Sequence, residues 1–166
     1  TDASTSDYVV GLVVGQAGPA FYVLDLFREK TDVIGTMNMI ARMHKRHQLD
    51  GTVIELAASG YAVYQMAKKK VPGLIGFKPE RSKEARAAGI VPVVEAGNVY
   101  LPISSPWLDN FVSEFSLFPA SKNDDQVDAL TMAVNYSLQR VAPQITEVTW
   151  GRGDRPLEGV RHLDIW

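Results

Sequence analysis

Apolar and polar positions switch between two periods along the chain, and the switch points outline its elements. Residues 8–14 are apolar and β-branched. Gln16-Ala17-Gly18-Pro19 supplies turn residues before a second strand over 20–27, so the chain is expected to open with a hairpin. Thr31 and Asp32 can cap a helix with Val33, Met37, Ile40, Ala41 and His44 on its apolar stripe, ending near Gln48. A short buried strand is predicted over 52–56 and a helix over 59–70, closed by Val71-Pro72-Gly73. Another strand follows over 74–77. Residues 82–96 have a helical pattern that Gly89 and Pro92 should break or kink. A small strand is expected over 98–101, and Ser105-Pro106 starts a helix with Trp107, Leu108, Phe111, Val112 and Phe115 on one face. The last helix runs from about Asp124 to Val141, with Val127, Leu130, Val134, Leu138 and Val141 as its buried stripe. Strands interleaved with helices predict an α/β fold with a mixed sheet. The domain is expected to span residues 1–142. The tail, 143–166, is rich in Gly, Arg and Asp but carries Trp150, Leu163, Ile165 and Trp166, so part of it should dock on the domain or on a partner.

Composition narrows the class. A chain of 166 residues, 46% hydrophobic and 22% charged, suits one globular domain. Its apolar runs fall far short of the ~20 residues a membrane span needs, so no membrane partner is expected. No basic start leads into an apolar core, so no signal peptide is expected. The absence of cysteine removes disulfide scaffolds, thiolate catalysis and Cys-ligated zinc. A soluble, intracellular protein is the expectation. There is also no Gly-rich loop ending in Lys-Ser or Lys-Thr, which leaves out a P-loop ATPase site.

The overall charge of −2 hides an asymmetry. Residues 42–86 carry ten bases against four acids, between flanks of net −3 and −5. A basic middle on an acidic chain is compatible with a polyanion crossing one face, and equally with solvated helix ends.

Three carboxylates fall within five residues, Asp124, Asp125 and Asp128, at the start of the last helix. They repel one another unless a cation sits among them. They can also be an N-cap and first-turn partners of the helix dipole, so both a metal site and a plain helix start are open. Glu55, near the carboxyl end of an apolar strand, adds weight to the metal reading. Ligands in open α/β sheets gather beyond such strand ends, and an oxygen-rich donor set suits Mg2+ or Mn2+. If the aspartates only repel, neutralising them without metal should raise stability. Arg81, Lys83 and Arg86 lie at a helix start, the last two at i, i+3 spacing, which suits phosphate oxygens; a solvated helix face is the plainer reading. His44 and His47 read as core and helix-end residues, and Arg152-Gly153-Asp154 as a chance triplet.

At these residues the sequence resembles the nuclease domain of the tailed-phage terminase large subunit, the DNA-packaging motor. The resemblance spans most of the chain: Ser6-Asp7-Tyr8-Val9-Val10-Gly11, then Val53-Ile54-Glu55 with Ala57-Ala58-Ser59-Gly60. It continues through Val71-Pro72-Gly73-Leu74-Ile75, Ser82-Lys83-Glu84-Ala85-Arg86-Ala87 and Glu95-Ala96-Gly97-Asn98-Val99-Tyr100-Leu101-Pro102, and closes on Phe118-Pro119 and Asp124-Asp125-Gln126-Val127-Asp128-Ala129-Leu130. It implies an RNase H-like fold and a two-metal endonuclease that cuts concatemeric viral DNA during packaging. Glu55, Asp124 and Asp125 would be metal ligands, with two Mg2+ or Mn2+ ions expected. Asp128 would be a supporting acid and Lys83 would lie near the scissile phosphate.

The implied partners are double-stranded DNA, the ATPase domain of the same polypeptide, the portal protein and the small terminase subunit, in the host cytoplasm during virus assembly. Asn123 stands where the family usually has a histidine. The family's first strand, with its aspartate, is expected upstream of Thr1; residues 1–6 then read as the loop after it, and Asp7 is the better substitute acid, ahead of Asp2. Alternatives are another RNase H-like nuclease, such as a resolvase or hybrid nuclease, and a catalytically incomplete docking domain.

Overall fold

The computed structural model describes residues 8–57, 59–140 and 160–162. It opens with the expected hairpin, β1 (Tyr8–Ala17) and β2 (Ala20–Lys30), paired antiparallel from Tyr8↔Lys30 to Ala17↔Ala20. The connection is Gly18-Pro19. Gly18 takes φ 57, the positive value that a two-residue hairpin turn asks of its first residue. The register shifts between Val13 and Val14, which pair with Asp25 and Val23, so Leu24 is the extra residue of a bulge and stands exposed.

Helix α1 (Val33–His47) begins at Asp32, whose side chain accepts the Gly35 N–H at 2.8 Å, and ends at Gln48 in the left-handed conformation. Its buried face is Thr36, Met39 and Ile40, turned from the expected stripe, with Ala41 exposed. Gly11 of β1 accounts for the turn: a side chain there would run into the Met39 sulfur, so the missing Cβ lets Met39 pack against the strand.

Strand β3 (Thr52–Glu55), helix α2 (Ser59–Ala67) and strand β4 (Leu74–Phe77) form a right-sized crossover unit, and the two strands pair in parallel from Thr52↔Leu74 to Glu55↔Phe77. The helical pattern over 82–96 is split, as expected, into α3 (Lys83–Ala88) and α4 (Val91–Glu95), with Pro92 in the first turn of the second. Strand β5 (Val99–Pro102), helices α5 (Leu108–Leu117) and α6 (Asp125–Arg140), and strand β6 (Val160–His162) complete the order.

One mixed central sheet was the expectation. Among the described residues the strands form two sheets, a mixed one in the order β1-β2-β5-β6 and the parallel pair β3-β4. No described strand pairs with the outer edge of β1 or of β3. The mixed sheet holds the core. Phe21, Val23 and Leu26 of β2 and Val99 and Leu101 of β5 pack with Leu108, Phe111 and Phe115 of α5 and with Val127, Leu130 and Val134 of α6. Across the parallel β2–β5 pair, Tyr22 stacks on Tyr100 at 4.9 Å. The α6 stripe stops at Val134, since Leu138 is exposed; Val141 lies outside the described residues, as do Asp2, Asp7, the RGD triplet and the tail's aromatic residues. Three tail residues, 160–162, pair antiparallel with β5. No described helix is long and apolar enough to cross a membrane.

Candidate active site

Three elements converge where the sequence places its charged residues. Glu55 ends β3, and the chain then doubles back into α2 over Gly60, where any Cβ would collide with the Glu55 carbonyl oxygen. Asp124 and Asp128 lie at the entry to α6, one turn apart, and the Asp128 N–H donates to the Asp124 carbonyl at 2.9 Å. Between them stands α3, capped by the Ser82 hydroxyl, which accepts the Ala85 N–H.

The cations of α3 fill the space among the carboxylates. Lys83 Nζ lies 2.8 Å from Asp124 Oδ1 and 2.8 Å from Asp128 Oδ2. The Arg86 guanidinium reaches Asp128 Oδ1 at 3.2 Å and Glu55 Oε2 at 3.6 Å. Desolvation works against the charge on Lys83, but its hydrogen bonds to Asp124 and Asp128 and their charges outweigh it and hold the ammonium above the ordinary lysine pKa. Asp125 goes the other way. Burial, then the charges of Asp124 and Glu114, raise its pKa above the ordinary aspartate value, and Lys83 and Arg28 offset only part of this.

Lys83 and Arg81 are exposed, where a phosphate could meet them. Arg86, expected on a phosphate-facing surface, is instead buried, its side chain 9% exposed. Its Nε has no hydrogen-bond partner among the described residues. A guanidinium paired with two carboxylates from two elements holds protein parts together. His44 bonds to the Thr52 hydroxyl at 2.7 Å, and His47 pairs with Asp25 at 2.9 Å, both away from this cluster.

One residue escaped the sequence reading. Glu114 of α5 is buried and accepts the backbone N–H groups of Gln126 at 2.7 Å and Val127 at 3.3 Å, along with the Gln126 side-chain amide. It caps α6 from another helix and so fixes the turn that carries the aspartates. The signal for it was a lone carboxylate between Phe111 and Phe115 on an apolar face.

The donor set suits a hard cation: all oxygen, with a half-buried Asp125 whose charge is poorly compensated. Among the described residues, no three histidine or carboxylate groups are gathered so as to hold a metal ion; Lys83 and Arg86 pair with Glu55, Asp124 and Asp128 instead.

No curated protein matches the chain. A protein family does: terminase RNaseH-like domains match it over residues 1–137, a stretch that contains β1 to α5, most of α6 and the whole carboxylate cluster. A match over that much of the chain, with an α/β fold and a mixed sheet beneath it, places this protein in the terminase RNaseH-like domain family.

Proposed function

We propose that the chain is a metal-dependent DNA endonuclease domain of a viral terminase large subunit, which cuts concatemeric genomic DNA during packaging. Membership of the family carries the coarse part, a nuclease-type domain of a packaging motor that works on DNA. The observation that carries the finer part is the convergence of Glu55 with Asp124 and Asp128, from distant stretches of chain, on a shared pair of cations.

In this reading Glu55, Asp124 and Asp125 hold Mg2+ or Mn2+, two ions as the resemblance implies. The bound ions supply Lewis-acid stabilisation of an in-line displacement at phosphorus. The chain's own residues do the rest. Asp128, with both oxygens engaged, holds Lys83 and Arg86 in place. Lys83, nearly half exposed, can turn from Asp124 towards a phosphate oxygen and bring the backbone to the carboxylates. Arg81 adds a second phosphate contact at the rim. Contacts of this kind read no sequence and weaken as salt rises.

Among the described residues no strand pairs with the outer edge of β1 or of β3, which is compatible with a further strand that carries the family's first acid; Asp7 and Asp2 are the candidate substitutes. The ATPase domain of the same polypeptide, the portal protein, the small terminase subunit and double-stranded DNA are the proposed partners, in the host cytoplasm.

The test is Mn2+-dependent cleavage of supercoiled plasmid by the full chain beside Glu55→Gln. Cleavage that disappears in the variant supports the reading. A folded chain that neither binds Mn2+ nor cuts would favour a docking role, and a strong preference for branched or hybrid substrates would favour a resolvase or hybrid nuclease.

A further inference from the structure

Arg86 is held at both ends. Its guanidinium meets Asp128, and its own carbonyl accepts the Asn135 side-chain amide at 3.1 Å. Asp128 and Asn135 are seven residues apart, two turns along one face of α6, so Arg86 ties α3 to α6 at two points, beside the pairs that Lys83 makes with Asp124 and Asp128. With the backbone anchored and Nη2 bonded to Asp128, Nη1 has little freedom, and it ends 3.6 Å from Glu55 Oε2, an ion pair longer than a hydrogen bond. Burial fixes it further, since a 9% exposed side chain cannot swing into solvent as Lys83 can. Glu55 belongs to the two-stranded sheet, none of whose residues enters the buried core cluster.

We propose that Arg86 is a positioning residue: it sets Glu55 at a fixed place relative to the aspartates of α6, so that the carboxylates meet a divalent cation already oriented. This rests on the nuclease reading above. Arg86 touches neither DNA nor the ion. It uses the hydrogen-bonded Asp128 as its anchor and holds Glu55 by charge across 3.6 Å. A planar fork can present one nitrogen to Asp128 and another to Glu55 at a fixed spacing; an ammonium on a flexible stem is a single point charge without that spacing.

The test is Mn2+ titration calorimetry on the full chain, run on wild type, Arg86→Lys and Asn135→Ala, beside plasmid-cleavage kinetics. Arg86→Lys keeps the charge and removes the fork. Asn135→Ala loosens the backbone anchor with every charged group in place. Positioning predicts Mn2+ affinity at least tenfold weaker in Arg86→Lys and weaker by a smaller factor in Asn135→Ala. It also predicts a lower kcat with KM for DNA little changed. Chemical rescue adds a further arm, since free guanidinium should restore part of the Mn2+ affinity of Arg86→Ala.

Unchanged Mn2+ affinity in both Arg86→Lys and Asn135→Ala overturns the proposal, because the arginine then only stabilises the fold. Tighter binding in Arg86→Lys overturns it too, because Arg86 would be a competitor of the ion. If wild type cuts and binds Mn2+ while the variants match it, the nuclease reading stands and this one falls. If wild type binds no Mn2+, both fall.

Discussion

Asp124, Asp125 and Asp128 are close in sequence, yet their charges are compensated differently, and this separates their effects on stability. Lys83 bridges the first and the last, and Arg86 adds to the last, while Asp125 is left half-buried with its pKa raised. The uniform repulsion expected from the sequence therefore applies to one aspartate only. In metal-free buffer Asp125→Asn should raise the melting temperature by about 2–4 °C, the change that ~1 kcal/mol makes in a chain of this size, trimmed by solvent exposure. The same substitution should abolish Mn2+-supported cutting; retained cutting would remove Asp125 from the site. Asp128→Asn should instead cost about 3 kcal/mol, since it strips a buried guanidinium of its nearer partner. Thermal unfolding in chelator checks both signs.

The pH dependence follows the same division. A carboxyl with a raised folded-state pKa binds more protons folded than unfolded, so stability from Asp125 falls as pH rises from the ordinary aspartate value through the folded one. Asp125→Asn should flatten that slope. Lys83 contributes stability below the ordinary lysine pKa, lost only as pH climbs through its still higher folded value, so it leaves the neutral range flat. Sequence alone was enough to bring out Glu55, the aspartates and Lys83, because each is an unusual charge at an element's end. It could not reveal that Arg86 is buried, because i, i+3 spacing puts two residues on one face without saying which of them meets another helix.

At the scale of elements, the site depends on how α6 begins, and that beginning is set from outside the helix. Glu114 supplies the acceptor for the first backbone N–H groups of α6, which a helix start otherwise leaves unbonded. Glu114→Ala leaves those backbone donors buried without a partner and leaves the Gln126 amide with Asn110 alone. It should destabilise the chain by about 2–4 kcal/mol, and Glu114→Gln, which keeps one acceptor oxygen, by about half as much. Denaturant unfolding measures both, and equal losses would show that packing volume, not the cap, is at work. Most boundaries were legible because local residues set them: Asp32 caps α1, Gly89 and Pro92 split the helical run, and Gly18-Pro19 turns the hairpin. The face of α1 was not, because the Gly11–Met39 contact that turns it joins two elements.

At the scale of the whole molecule, the candidate site straddles two sheets of unequal anchorage. The mixed sheet is built around Phe21, Val99, Leu101, Phe111 and Leu130, all at or near full burial. Every residue of β3 and β4 is only half-buried, and the pair leans on α2. Glu55 therefore rides on the less protected part, joined across to α6 through Arg86. Protection from amide exchange should follow this division, since local openings begin where few apolar contacts resist them. The Thr52 and Leu56 amides, which donate to Gly73 and Phe77, should exchange through openings of lower free energy than the Phe21 amide, which donates to Asn98. Arg86→Gln should raise exchange at Thr52 and Leu56 at least tenfold and leave Phe21 nearly untouched. A uniform rise at all three amides would mean that the ion pairs support global stability, and the two sheets would then open as one unit.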